Sequence, residues 1–403
     1  MRFIRWWGLL LVAAIVAGCA SRLSTTELPK GTVLAPGIKL PNDTAVAVYL
    51  PSSDRQGRFF IGNAWVLPGR SLEDAVTAST RHFFPSSFLA ETTTTTPYGL
   101  LLSIQPEWKL EAGEIRMTMK YRVHAADGAS LLEGSQTATA ALGELSTSNG
   151  FYNAALRSSQ LVLVEVLNRL KPDATRHPAS ARFTAADPKL YVDYEKPIST
   201  GTGFFVNTSG QLVTAAHVLQ SCALVEVKRD NKPYATRLIK SSPLLDLAVL
   251  STDIHEAHAL PLRADRQLKL GEPVANVGFP LQPILAANPM LTRGNVSSRS
   301  ALAGSLGQFQ FSASIQPGSS GGPVVSDGGE LLGVTLGTLN AAALVERGVL
   351  PQNVNFALDA RYVGMFLQQA RVPFVETASS AQNNMQTGNE AALSAVVSVA
   401  CYQ

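Results

Sequence analysis

Between Ile115 and Val123, apolar Ile115, Met117, Met119, Tyr121 and Val123 alternate with Arg116, Thr118, Lys120 and Arg122. This period of two predicts a strand with one dry face and one wet face. Asp127-Gly128 is a turn signal leading into a partner strand over 130–139. Upstream, Thr44 to Leu50 is rich in β-formers, and Tyr98 to Ile104 is a second apolar run. Ser71-Leu-Glu-Asp74 resembles a capping box, and Leu72, Ala75, Val76 and Phe83 continue it at helical spacing. Leucines and valines are dense from Phe151 to Leu170, which predicts a helix packed on that sheet. Residues 36–171 therefore form an α+β domain by expectation. Prolines at 172, 178, 188 and 197, set among Ala, Ser, Thr and Asp, predict a semi-extended linker over 172–197. Beyond it short strands with frequent turn signals predict an all-β barrel or sandwich, and polar residues 378–390 predict a tail.

The first residues change this picture. Arg2 and Arg5 precede an apolar run from Trp6 to Val16, too short for a comfortable membrane span but suited to a secretory signal peptide. Its end, Val16-Ala17-Gly18-Cys19, resembles the lipobox of bacterial lipoproteins. That resemblance implies cleavage after residue 18, lipid on Cys19, a tether over 19–35 and a place on the periplasmic side of the cell envelope. Ala20 and Ser21 follow where inner-membrane retention favours Asp, so the outer membrane is the implied anchor. A plain signal peptide with an incidental cysteine is the alternative. Cys222 and Cys401 are then an even pair in an oxidising compartment, bridged to one another or left as two buried thiols. A net charge of +3 without dense Lys/Arg runs speaks against nucleic acid as a partner.

Residues 315–323 read IQPGSSGGP. Such a turn presents a serine and its backbone N–H groups, as acyl transfer requires, but it also looks like a linker. Two further segments favour chemistry. In TAAHV, His217 ends a predicted strand among small residues, with room to act as a base. In Leu244 to Leu250, Asp246 stands alone in an apolar run, and a buried carboxylate there needs a partner such as an imidazole N–H. His82 and His124 are isolated, and His255 and His258 in DIHEAH read as a solvated loop with no completed metal site. No nucleotide fingerprint occurs, and no cofactor is expected.

In their order, TAAHV, DLAVL and GSSGGP resemble the trypsin-like serine peptidases, and among them the HtrA (Deg) envelope proteases. The resemblance runs over residues 198–372 and extends to GTGFFV (201–206), LGEPVANVGFP (270–280), TRGNVSS (292–298), GELLGV (329–334) and NVNFAL (353–358). It implies a double β-barrel in which Ser320 attacks the peptide carbonyl, His217 carries the proton and Asp246 orients His217. The N–H groups of Gly318 and Ser320 would form the oxyanion hole. It also implies that Leu336, Gly337 and Thr338 pair with the substrate backbone, and that Ser314 and Ile315, with residues near Phe356, line the primary pocket. With no carboxylate there, small or medium apolar side chains are expected.

The chain departs from its relatives in two ways. Ser319 replaces the acid that digestive relatives pair to a new N-terminus, which points to control by loop ordering. The segment 373–403 is also too short for the PDZ domain that usually follows. The expected function is a lipid-anchored envelope serine endopeptidase acting on proteins or peptides, its first domain docking another envelope protein. A latent trypsin-like scaffold serving as a binding or chaperone lipoprotein is the alternative.

Overall fold

The structure is a computed structural model that describes residues 21–403 except 62–63, 112, 143–146, 256, 265–266, 283–287, 302–304, 339–352 and 379–383. The signal-peptide and Cys19 expectations lie outside the described residues. The chain divides into two compact units, Met1–Tyr191 and Val192–Gln403.

The first unit is α+β. Its five-stranded sheet has the order β2-β1-β3-β4-β5, with β1 Val46–Tyr49, β2 Phe88–Leu89, β3 Leu100–Glu111, β4 Glu114–Ala125 and β5 Ser130–Ala141. The alternation along β4 places Ile115, Met117, Met119, Tyr121 and Val123 in a core with helices α1 (Pro68–Phe83) and α2 (Thr147–Leu170). Helix α1 starts earlier than the Ser71 signal because Pro68, with its preset φ, takes the first turn. The Ser71 hydroxyl donates to the Ser148 carbonyl instead.

Residues 21–35 of the expected tether and 173–191 of the expected linker are built into this unit, while 192–197 belong to the second. Asn153, Gln160 and Asn168 lie two turns apart along α2, so they form one polar row. Leu23 N–H donates to Asn153 Oδ1 (2.8 Å) and Ala35 N–H to Asn168 Oδ1 (2.8 Å). Gln160 Nε2 donates to the Thr25 and Glu27 carbonyls (3.0 Å each), and Leu23, Leu28 and Leu34 pack on the core. Residues 173–191 are held likewise: Ala181-Arg182 pairs with Pro97-Tyr98, and Phe183 and Tyr191 are buried against Tyr49, with ring centroids 5.6 and 4.4 Å away. Proline density signals extended chain, but buried aromatic area decides whether that chain docks. Burial, with smaller contributions from Asp187 and Tyr98, pushes the Tyr191 hydroxyl pKa up to about 12. His124 is buried, and its Nδ1 has no hydrogen-bond partner among the described residues.

The second unit holds two β-sheets. The first has seven strands in the order β9-β8-β20-β6-β7-β11-β10. They are β6 Ser199–Phe205, β7 Gln211–Ala215, β8 Leu224–Arg229, β9 Lys232–Ala235, β10 Arg237–Ser242, β11 Leu247–Ser251 and β20 Val396–Tyr402. The second sheet runs β16-β13-β14-β15-β18-β17-β12-β19 and closes into a barrel because β16 also pairs with β17. Its strands are β12 Leu262–Arg263, β13 Pro273–Gly278, β14 Met290–Ser298, β15 Gln308–Phe311, β16 Pro323–Val325, β17 Leu331–Thr338, β18 Asn355–Asp359 and β19 Glu376–Thr377. Helix α3 (Ala360–Gln369) packs its apolar side on the core.

The expected tail is an integral part of this unit. Helix α4 (Met385–Ala395) starts at the cap residue Asn384, whose Oδ1 accepts from Gln386 and Thr387 N–H. Strand β20 then enters the first sheet between β6 and β8, fully buried. Cys401 on β20 forms a disulfide with Cys222.

Candidate active site

Three chain turns make the site. The first follows β7, where the backbone enters a 3₁₀ turn over Ala216–Leu219 that carries His217. The second precedes β11. The burial expected for Asp246 is not found: Leu244 is 82% exposed, Asp246 adopts φ +51°, and the buried strand begins only at Leu247. Aspartate tolerates the left-handed region better than most residues, so the turn can aim its carboxylate sideways. Both carboxylate oxygens meet His217. Oδ1 accepts from the His217 backbone N–H (2.9 Å), and Oδ2 lies 2.7 Å from Nδ1. The Asp246 carbonyl also accepts from Ala216 N–H (3.1 Å). An acceptor at Nδ1 places the ring proton there, leaving Nε2 free to accept another.

The third turn carries Ser320, and packing explains its glycines. Gly318 and Gly321 have φ of +98° and +84°. A Cβ on Gly318 would lie 2.5 Å from the Phe279 carbonyl oxygen, and one on Gly321 would lie 2.3 Å from that of Thr202. These glycines permit close backbone approach, so the segment is not a flexible linker. The carbonyls of Pro317, Gly318, Ser319 and Ser320 all accept hydrogen bonds, from Leu281 N–H, Thr202 Oγ1, Gly322 N–H and Thr202 N–H. Among the described residues the N–H groups of Gly318 and Ser320 have no acceptor. In a trans peptide N–H and C=O point oppositely, so tying the Pro317 carbonyl to Leu281 turns the Gly318 N–H the other way.

The turns meet through β6. Thr214 Oγ1 donates to the Thr202 carbonyl, and a Cβ on Gly321 would lie 2.6 Å from Ala215 N, two residues before His217. His217 and Asp246 are joined directly. Ser320 Oγ donates to the Leu336 carbonyl (3.3 Å) and not to His217.

Around the serine, Ile315 is buried, and Ser314 Oγ donates to Asn353 Oδ1. A bulge follows Thr335 in β17. Beyond it, Gly337 and Thr338 pair with β18 on one side, while the pairing of β17 with β16 stops at Val334. Neither His255 nor His258 is buried, and no group of three or more metal-ligating side chains occurs among the described residues. Thr202 lies within GTGFFV but carries no functional signal in the sequence itself. The expected tail overlooks Val396–Tyr402, whose run VVSVACY is a strand signal in its own right.

Residues 201–334 match the family described as Trypsin-like peptidase domain. The chain is 34% identical over 233 residues to "Uncharacterized protein y4bJ" of Sinorhizobium fredii, covering 57% of this chain and 36% of that protein. It is 30% identical over 224 residues to "Protease Do-like 2, chloroplastic" of Arabidopsis thaliana (50% and 36%). It is 33% identical over 183 residues to "Serine protease HTRA2, mitochondrial" of Bos taurus (43% and 35%). The chain thus spans little more than a third of the length of these relatives.

Proposed function

We propose, from the match of residues 201–334 to the Trypsin-like peptidase domain family and the similarity to HtrA proteases, that the protein is a serine endopeptidase of the cell envelope. Ser320 attacks the peptide carbonyl, His217 Nε2 takes its proton and delivers it to the leaving amine, and Asp246 holds the tautomer and the imidazolium that forms. The N–H groups of Gly318 and Ser320 stabilise the oxyanion. The observation that carries this reading is the double engagement of His217 by Asp246, together with a serine turn whose carbonyls are all tied away. Attack requires Ser320 Oγ to leave the Leu336 carbonyl and donate to His217 Nε2.

The substrate adds as a strand along Leu336–Thr338, where among the described residues the pairing with β16 has ended at Val334 and the Leu336 carbonyl is held by the Ser320 hydroxyl. Ser314 and Ile315, with residues near Phe356, line the primary pocket, and with no carboxylate at its floor among the described residues it takes small or medium apolar side chains. The lipobox-like Val16–Cys19 supports lipidation of Cys19, and Ala20-Ser21 after it, in place of Asp, support an outer-membrane, periplasm-facing location. The first unit presents substrate or docks another envelope protein.

The test is fluorophosphonate labelling of a soluble form without the first 19 residues. The expected result is labelling of the parent that Ser320→Ala and His217→Ala each abolish. A folded parent that does not label refutes the reading. For the anchor, incorporation of an alkyne fatty acid in a bacterial host is expected, and Cys19→Ser should abolish it.

A further inference from the structure

We infer that Thr202 is a positioning residue for the oxyanion hole, acting through the carbonyl side of the serine turn; this rests on the peptidase reading above. Thr202 lies in β6 and is fully buried, so its polar groups require internal partners. All of them find partners at the site. The hydroxyl donates to the Gly318 carbonyl (2.8 Å) and accepts from Phe279 N–H (2.9 Å). The backbone N–H donates to the Ser320 carbonyl (2.8 Å), and the backbone carbonyl accepts from Thr214 Oγ1 (2.8 Å).

The consequence follows from peptide planarity. The two proposed donors belong to the peptides 317–318 and 319–320. Thr202 fixes the peptides 318–319 and 320–321, so the Ser320 N–H sits between two anchored planes. The remaining plane, 317–318, is held because Leu281 N–H grips the Pro317 carbonyl (2.7 Å). Leu281 is only two residues beyond Phe279, whose N–H the Thr202 hydroxyl accepts. One hydroxyl therefore braces both the turn and the loop that supports it. A bare packing role would not need a hydroxyl that donates to the serine turn and accepts from the loop supporting it. Valine would fill the same space but leave the Gly318 carbonyl and Phe279 N–H unpaired, freeing the 317–319 backbone to reorient.

The experiment compares parent, Thr202→Val and Thr202→Ser, using the fluorophosphonate labelling rate and the kcat and KM for fluorescein-labelled casein. Removing an oxyanion donor outright costs about 10²–10³ in kcat. Loosening two donors should therefore lower kcat and the labelling rate of Thr202→Val by roughly 10- to 100-fold, with KM within about threefold of the parent. Thr202→Ser, which keeps the hydroxyl, should stay within about fivefold of the parent. A merely structural role predicts a lower melting temperature but unchanged kcat in the folded state, and that result overturns the proposal. So does a serine variant as impaired as valine. If valine does not fold, Thr202→Cys, close in size but a weak donor, takes its place with the same expectation and the same refuting result. A reactive parent with an equally reactive valine variant sinks this proposal alone, whereas an unreactive parent sinks the peptidase reading and this proposal with it.

Discussion

Breaking the Cys222–Cys401 bridge should destabilise the second unit without altering its site. The bridge closes a loop with a sequence separation of 179. For a loop of that size the chain-entropy relation gives about 5 kcal/mol at 25 °C, at the top of the roughly 2–5 kcal/mol typical of native bridges in small secreted domains. The term acts on the unfolded chain, because β20 remains hydrogen-bonded on both sides in the reduced protein. Its register pairs it with β6 from Ser199 to Phe204 and with β8 from Leu224 to Lys228. Cys401 is fully buried, so a serine there would desolvate a new hydroxyl. Cys222→Ser/Cys401→Ala avoids that cost. A melting point falls by about 2–4 °C per kcal/mol in a unit of this size, so the drop should be roughly 10–20 °C. Calorimetry of the variant and of the dithiothreitol-reduced parent should show the same drop, with fluorophosphonate labelling at 25 °C unchanged. A shift of less than about 2 °C on reduction would refute the entropic reasoning. Loss of labelling in the still-folded variant would instead show that the bridge holds the His217 turn itself.

Three other outcomes are expected. Deleting residues 385–403 removes the strand between β6 and β8, and should leave the second unit unfolded by near-UV circular dichroism and unreactive towards fluorophosphonate. Asp246→Asn preserves shape but favours the wrong His217 tautomer; kcat on labelled casein should fall by about 10⁴, and a fall of less than tenfold would remove Asp246 from the mechanism. His124 is held below the usual histidine pKa chiefly by burial and also by Arg122, with Glu133 opposing. The unfolded chain therefore binds the extra proton first, and stability present above about pH 6.5 is lost as pH falls towards the folded value. Urea titrations between pH 8 and 5 should show that loss, and His124→Met should flatten it, leaving the share of His177, which is shifted the same way by burial and Arg176.

Local backbone chemistry was legible from the residues alone. Gly318 and Gly321 flank Ser319 and Ser320 because the chain needs positive φ and close approach there, and only glycine supplies both at low cost. The alternation along β4 declared its dry face because a strand repeats every two residues. Sequence thus determined the main strands and helices of the first unit, the His217, Asp246 and Ser320 segments on which the proposed chemistry rests, and the β character of the second unit.

Only the tertiary structure decided where the connecting segments go. Residues 21–35 look like a tether until Asn153, Gln160 and Asn168 line up on one helix face to receive their backbone. Residues 378–390 look like a polar tail, yet the chain they lead into becomes a buried strand, because β6 and β8 leave a gap that only a distant segment can fill. The apolar setting expected for Asp246 turned into an exposed turn, since its φ of +51° depends on how β10 and β11 meet. The role of Thr202 is invisible in the sequence for the same reason: its partners at Phe279 and Gly318 lie 77 and 116 residues away. Propensity and spacing act over a few residues, whereas hydrogen-bond partners and strand neighbours are chosen by the closed fold as a whole.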